Sequence, residues 1–235
     1  MSMTLKKRMS WMSSPRISGI YAITPDLIDT TNLVMLTQQV LISGVQLIQY
    51  RNKIADNALK LEQAALLSTL CHEFNTPLII NDDLDLAIKI GADGVHLGIE
   101  DITVVEARRR LGPGKIIGAS CYNKLRYAIE AENHGADYVA FGAFYISSTK
   151  SGAVSAPISL LCKAKQCLQI PVVAIGGIDS ENIVELIYKG ADAVAVSSSI
   201  FNSINIQLET KKLSCIFKQT KYSINNLNEL SNDFT

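Results

Sequence analysis

Apolar residues gather along this chain in eight short runs, at 19–24, 45–50, 77–81, 94–97, 115–120, 138–142, 171–176 and 193–197. The runs are rich in β-branched residues and short enough for buried strands. The stretches between them repeat their apolar positions at helical spacing. Leu33, Leu36 and Val40 mark one face, Leu59, Ala64, Leu66, Leu67 and Leu70 a second, and Ile183, Leu186 and Ile187 a third. Asp56, Thr103 and Asp179 or Ser180 fit helix starts. Three joints carry the same lettering: Gly91-Ala92-Asp93, Gly135-Ala136-Asp137 and Gly190-Ala191-Asp192, each followed by an apolar run. Glycine accepts the left-handed conformation that ends a helix, so each copy reads as a helix stop that opens a strand. The copies lie 44 and 55 residues apart, room for about two βα units each. They therefore predict strands four, six and eight of a closed barrel. Eight strands alternating with helices predict a TIM (β/α)8 barrel, a single α/β domain. An open doubly wound sheet is the alternative, but it often carries an early glycine-rich fingerprint, which is missing here.

The chain has 235 residues, close to the roughly 250 typical of such a barrel. The barrel is expected over 19–202. Residues 1–18 carry Lys6, Lys7, Arg8 and Arg16 without an acid and read as a basic, disordered extension. Residues 203–235 turn rich in Asn, Ser, Lys and Gln, fitting a terminal helix followed by a polar tail. Basic and acidic residues balance at 22 each, so no basic stripe points to nucleic acid. No apolar run is long enough for a membrane span. Five cysteines without a C-x-x-C pair suit reduced thiols and a cytoplasmic setting.

Barrels of this kind work at the carboxyl ends of their strands, and the polar residues there are informative. The second run ends in Gln49, Arg51 and Lys53, two cations and an amide at alternating positions. The third ends in Asn81, Asp82 and Asp83, the fourth in His96 followed by Glu100 and Asp101. Neighbouring carboxylates without thiolates suit Mg²⁺ holding a substrate phosphate. Equally, Asp83 and Asp101 could cap the helices that follow. His96, without a second imidazole at metal spacing, reads as a hydrogen-bonded barrel histidine. The fifth run ends in Ser120. The sixth leads to Ser147, Ser148, Thr149, Lys150 and Gly152, a polar loop able to close on an anion. The seventh ends in Gly176-Gly177 and the eighth in Ser197-Ser198, the place where barrels commonly bind phosphate. Two anion sites on one rim suggest the joining of two phosphorylated small molecules or the release of a diphosphate.

In order along 19–201, Gln49-x-Arg51-x-Lys53, Asn81-Asp82, His96-x-Gly98-x-Glu100-Asp101, Gly118-x-Ser120, Thr149-Lys150, Gly176-Gly177 and Ser197-Ser198 resemble the thiamine-phosphate synthase family. The resemblance implies a transferase that joins hydroxymethylpyrimidine diphosphate to a thiazole phosphate and releases diphosphate. It assigns Gln49, Arg51, Lys53, Thr149 and Lys150, with Ser147 in the same loop, to the diphosphate. Asn81 would orient the pyrimidine substrate, and Asp82 and Asp101 would hold Mg²⁺. Ser120 would stand near the reacting methylene and, with Lys150, act in catalysis. Gly177, Ser197 and Ser198 would bind the thiazole phosphate. The expected partners are thus small molecules, with no nucleic acid or membrane and a homo-oligomer left open. Ile99 stands where the family commonly has Gln, the lid lacks its usual Pro, and Cys121-Tyr122 replace a frequent Ala-His pair. Two rivals share the barrel. A thiazole tautomerase relative would need a proton-transfer group and no diphosphate grip. A non-catalytic barrel that binds thiamine precursors is favoured by Ile99 alone.

Overall fold

The computed structural model describes residues 17–146 and 155–232. Eight parallel strands close on themselves in sequence order: β1 Gly19–Ile23, β2 Leu47–Tyr50, β3 Leu78–Asn81, β4 Gly94–Leu97, β5 Ile116–Tyr122, β6 Tyr138–Phe141, β7 Val172–Ile175 and β8 Ala193–Val196. Each falls on one of the eight apolar runs. The helices between them are α1 Thr30–Ile42, α2 Asn57–Glu73, α3 Leu84–Ile90, α4 Val104–Leu111, α5 Leu125–Asn133, α6 Ser159–Cys167 and α7 Ile183–Tyr188. A short α8, Ser198–Phe201, and a long α9, Ile206–Asn232, complete the described chain. Among the described residues no helix is long and apolar enough to cross a membrane.

Alternation along the strands divides the apolar residues into two cores. Tyr21, Leu47, Ile79, Ile116, Tyr138, Val173 and Ala193 point into the barrel. Ile20, Ile48, Ile80, Val95, Val139, Val172 and Val194 point outward against the helices. Side-chain caps start the early helices: Asp29, Asp56, Asp83 and Thr103 accept from the amides of Asn32, Leu59, Leu86 and Glu106. Asp56 and Thr103 sit where the sequence placed them. The start of α7 does not. Asp179 spends its carboxylate on a tight turn, accepting from the amides of Glu181 and Asn182, and the helix begins after Asn182. Likewise the buried face of α2 is Gln63, Ala64, Leu67, Leu70 and Cys71, while Leu66 faces out. Dense apolar spacing cannot tell two adjacent faces apart; packing against the barrel does. Helix α9 runs to Asn232, anchored by buried Ile206, Leu213 and Phe217.

The Gly-Ala-Asp joints prove to be fasteners. Gly91, Gly135 and Gly190 all take positive φ. The carboxylate two residues on then accepts an amide at the start of the preceding strand. Asp93 accepts from Leu78, Asp137 from Ile117 and Asp192 from Val172, at 2.9, 2.7 and 2.8 Å. In each case the aspartate's own amide donates back to the carbonyl of the same residue. A fourth copy is hidden in the sequence: Gly44-Val45-Gln46 makes the same pair of bonds with Ile20, through the Gln46 amide oxygen at 2.7 Å. The bonds thus tie β1 to β2, β3 to β4, β5 to β6 and β7 to β8. Arg108 adds a charge-assisted bond to Asp137, and Lys165 adds one to Asp192.

Removing one fastener orphans a strand-start amide and, at Asp137, the Arg108 guanidinium as well. Asp137→Ala should cost about 1–3 kcal/mol, a fall in Tm of roughly 2–4 °C per kcal/mol for a chain of this size. Asp137→Asn keeps an acceptor for Ile117 and should recover most of the loss. Thermal unfolding of the two variants checks this; equal loss in both would mean that charge rather than the amide bond matters.

Candidate active site

Residues at the carboxyl ends of the strands surround one cavity of about 520 Å³. Gln49, Arg51, Asn81, Ser120, Gly177, Ser197 and Ser198 all line it. A smaller adjoining hollow of about 160 Å³ is lined by Lys53, Asn81 and Asp82. Asn81, at the end of β3, is the wall between the two. Ser147, Thr149 and Lys150 lie outside the described residues.

Arg51 and Lys53 are each paired. Arg51 Nη1 meets both oxygens of Asp26 at 3.0 Å, and Asp26 also accepts the Lys53 amide at 2.7 Å. Lys53 Nζ in turn meets Asp82 at 2.5 Å. Asp26 was not among the sequence candidates. It stands just past the end of β1, so inspection of that strand end could have found it.

Asp82 follows β3 in a left-handed conformation, φ 62°, with its amide donated to the His96 carbonyl. Asp and Asn tolerate that region better than most residues. The turn brings Asp82 to Asp101, whose Oδ2 accepts the Gly98 amide at 2.6 Å. The two carboxyls interact through a side-chain hydrogen bond. The helix-cap alternative can now be resolved residue by residue. Asp83 caps α3, and Thr103 rather than Asp101 caps α4. Asp82 and Asp101 are therefore left facing each other. Burial alone would raise the Asp82 carboxyl, but the Lys53 ammonium, the bond with Asp101 and His96 outweigh it and hold it below the usual range. Asp101 is held above that range, first by burial and then by the neighbouring Asp82 charge. Of the two, Asp82 is thus the stronger acid and Asp101 the weaker.

At β5 the ladder with β6 shifts register between Ser120 and Tyr122, a bulge that sits at the candidate serine. Ser120 Oγ lies 2.8 Å from His96 Nε2, and His96 Nδ1 lies 2.9 Å from the Tyr138 hydroxyl. His96 is a hydrogen-bonded barrel histidine, as its isolation in the sequence suggested. Gln49 is buried below Arg51 and donates to the Tyr21 hydroxyl at 2.8 Å. Tyr21 and Tyr138 were not among the sequence candidates; a tyrosine at an inward position of an aliphatic strand is the signal that could have marked them. Across the rim, a Cβ on Gly177 would lie 2.5 Å from the Ile146 carbonyl oxygen. That glycine is required by the segment after β6, whatever it does for a ligand.

These features define a (β/α)8 barrel with a largely apolar cavity edged by polar groups, and an acidic pair, at the carboxyl ends of its strands, the layout of a barrel that works on small anionic molecules. The family model described as thiamine monophosphate synthase matches residues 20–200, and the chain belongs to that family. It is 52% identical over 216 residues to the thiamine-phosphate synthase of Nitrosospira multiformis, covering 92% of each chain. It is 49% identical over 209 residues to that of Methylobacillus flagellatus, covering 89% of this chain and all of the relative. The solved thiamine phosphate pyrophosphorylase from Pyrococcus furiosus superposes with a TM-score of 0.78 at 32% identity, over 88% of this chain and 98% of that one. A 3-hexulose-6-phosphate synthase, at 17% identity and a TM-score of 0.64, shares the fold alone.

The difference in acidity within the pair can be measured directly. In carboxyl-detected NMR titrations, Lys53→Met should raise the Asp82 midpoint, because the cation that holds it down is gone. Asp82→Asn should lower the Asp101 midpoint only in part, since burial remains. An unmoved Asp82 in Lys53→Met would show that the ion pair is not formed in solution.

Proposed function

We propose that this chain is a transferase that joins hydroxymethylpyrimidine diphosphate to a thiazole phosphate, forming thiamine phosphate and releasing diphosphate. The observation that carries the reading is the single cavity shared by Arg51, Asn81, Ser120, Gly177, Ser197 and Ser198, with Lys53 and Asp82 lining the hollow that adjoins it. It matches what the reaction needs, which is two anionic substrates held at one place. Retention of Arg51, Lys53 and the acidic pair argues against a tautomerase, which has no diphosphate to grip.

In this reading the C–O bond between the pyrimidine methylene and the diphosphate breaks, the diphosphate takes the electron pair, and the thiazole nitrogen forms the new C–N bond. The electron-rich aminopyrimidine stabilises the cation, so no protein nucleophile or strong base is needed. Arg51 and Lys53, with Thr149 and Lys150, hold the diphosphate, and Gln49 lies at the floor of the same cavity. Lys53 turns from Asp82 to the diphosphate oxygens as the substrate binds. Asn81, between the two hollows, orients the pyrimidine diphosphate, and Ser120 meets the leaving group. Gly177, Ser197 and Ser198 fix the thiazole phosphate, so that the attacking nitrogen is delivered at high effective concentration.

The acidic pair fits Mg²⁺. Its two carboxyls face each other, cap no helix and offer only oxygen donors. Among the described residues no group of three His, Cys, Asp or Glu side chains could hold a metal. Mg²⁺ commonly takes only one or two carboxylates, with water and substrate phosphate as its other ligands. Asp82 and Asp101 would hold it, and it would supply positive charge to the departing diphosphate. The free state of all five cysteines supports a cytoplasmic setting.

Purified protein given both substrates and Mg²⁺ should produce thiamine phosphate, and EDTA should abolish it. Asp82→Ala should lower turnover by about 10²-fold or more. Full activity of Asp82→Ala in EDTA would remove the metal assignment, and an inactive wild type would remove the reaction itself. Ser198→Asp should weaken thiazole phosphate far more than pyrimidine diphosphate, because a carboxylate there repels the phosphate. Separate titrations decide it, and equal losses would mean that the two anion sites are wrongly divided.

A further inference from the structure

A polar chain crosses the inside of the barrel between Gln49 and Ser120, and the grip on the two anions does not use the tyrosines and histidine in its middle. Gln49 Nε2 donates to the Tyr21 hydroxyl at 2.8 Å, and the Tyr21 and Tyr138 hydroxyls are 2.8 Å apart. The Tyr138 hydroxyl then meets His96 Nδ1 at 2.9 Å, and His96 Nε2 meets Ser120 Oγ at 2.8 Å. Barrel interiors are ordinarily filled by branched aliphatic side chains. Here Tyr21, Gln49 and Tyr138 are fully buried, at 1%, 3% and 0% exposure. The rings are held by each other: Tyr138 meets Tyr21 edge-on with centroids 5.9 Å apart, and stacks on His96 at 5.5 Å. Strand β5 makes room for them, since a Cβ on Gly118 would lie 2.0 Å from the Tyr138 ring.

Counting protons gives the chain a direction. An amide nitrogen only donates, so the Tyr21 oxygen is an acceptor at this end. Burial pushes both phenols far above their ordinary range, so each keeps its one hydrogen. The Tyr21 hydrogen goes to the Tyr138 oxygen, and the Tyr138 hydrogen to His96 Nδ1. Nδ1 is then the bare nitrogen of a neutral ring, Nε2 carries the proton, and Nε2 donates to Ser120 Oγ. The Ser120 hydrogen is left to point into the cavity. The opposite direction would send the Tyr138 hydrogen to Tyr21 and leave the Tyr21 hydrogen without a protein acceptor among the described residues. Such a buried orphan is costly.

We propose that Tyr21, Tyr138 and His96 are positioning residues that form a one-way hydrogen-bond chain, fixing Ser120 as a donor toward the anionic substrate. His96 is then not a base for Ser120, and the Ser–His contact is not that of a nucleophile pair. The kinetic part of the proposal rests on the synthase reading above; the direction of the chain does not.

Two measurements test it. The chain has three histidines, so in ¹⁵N-histidine-labelled protein the His96 signals are identified by their loss in His96→Gln. Ligand-free wild type should show His96 protonated at Nε2 and bare at Nδ1, and Tyr138→Phe should erase that preference. In the coupling assay, Ser120→Ala and Tyr138→Phe should each lower kcat by about 10²-fold with little change in KM. The double variant should be no slower than the slower single variant, because both break the same chain. Tyr21→Phe, further along, should lower kcat in the same sense and serves if Tyr138→Phe does not fold. A wild-type His96 protonated at Nδ1 would overturn the direction, and losses that multiply in the double variant would overturn the coupling. An inactive wild type with the expected tautomer would count against the synthase reading and leave the chain standing.

Discussion

Parallel strands lack the tight hairpin that sets register in an antiparallel pair, so their alignment must be fixed by other bonds. In this barrel it is fixed by four side-chain oxygens, on Gln46, Asp93, Asp137 and Asp192, each holding an amide at the start of an odd strand against the start of the following even strand. All else rests on that. A slip of one residue reverses which side chains face inward. Tyr21, Gln49, His96 and Tyr138 would leave the interior, and Ile20, Ile48, Val95 and Val139 would enter it. The cavity would lose its floor, and the helices would lose the apolar surface they pack on. The fasteners lie at the amino ends of the strands and the cavity at the carboxyl ends, so register is secured without using any group that the chemistry needs.

At the other end of the strands, charge is kept in partnered form. Arg51 leans on Asp26, Lys53 on Asp82, and Asp101 holds the Gly98 amide beside Asp82. These are partly exposed pairs and contribute little to stability. Their consequence is positional, because each cation is held at the rim rather than folded over the surface. An incoming anion trades one charged partner for another and does not have to order a free side chain. The left-handed turn at Asp82 serves the same end, since it brings Asp82 to both Lys53 and Asp101.

The interior makes the opposite choice from most barrels. Five polar side chains occupy space that aliphatic groups would fill, and β5 gives up a side chain at Gly118 to admit one of the rings. A buried polar network is tolerable only when its groups are satisfied. Because the Gln49 amide nitrogen, which meets Tyr21, can only donate, every hydrogen in the chain is committed in one sense. What emerges at the cavity is a single oriented hydroxyl on Ser120, placed by a bulge that breaks the ladder at that residue.

The sequence by itself determined the local features. Eight apolar runs became eight strands, because a buried strand needs nothing more than short β-branched stretches bounded by turns. The Gly-Ala-Asp joints located strands four, six and eight, because a positive φ at the end of a helix favours glycine wherever it occurs. The ends of the eight runs then pointed to Arg51, Asn81, Ser120, Gly177 and Ser198, which the barrel gathers around one cavity. Tertiary structure decided what depends on distant partners. The fourth fastener was hidden because Gln46 replaces aspartate, and only its bond to Ile20 shows the equivalence. Asp101 could be read as a helix cap until Thr103 was seen to do that work. Asp26 carried no meaning until Arg51 came to rest on it. Tyr21 and Tyr138, 117 residues apart, could not be joined by any pattern along the chain. Periodicity records which way a side chain faces; which partner it meets there is settled only when the barrel closes.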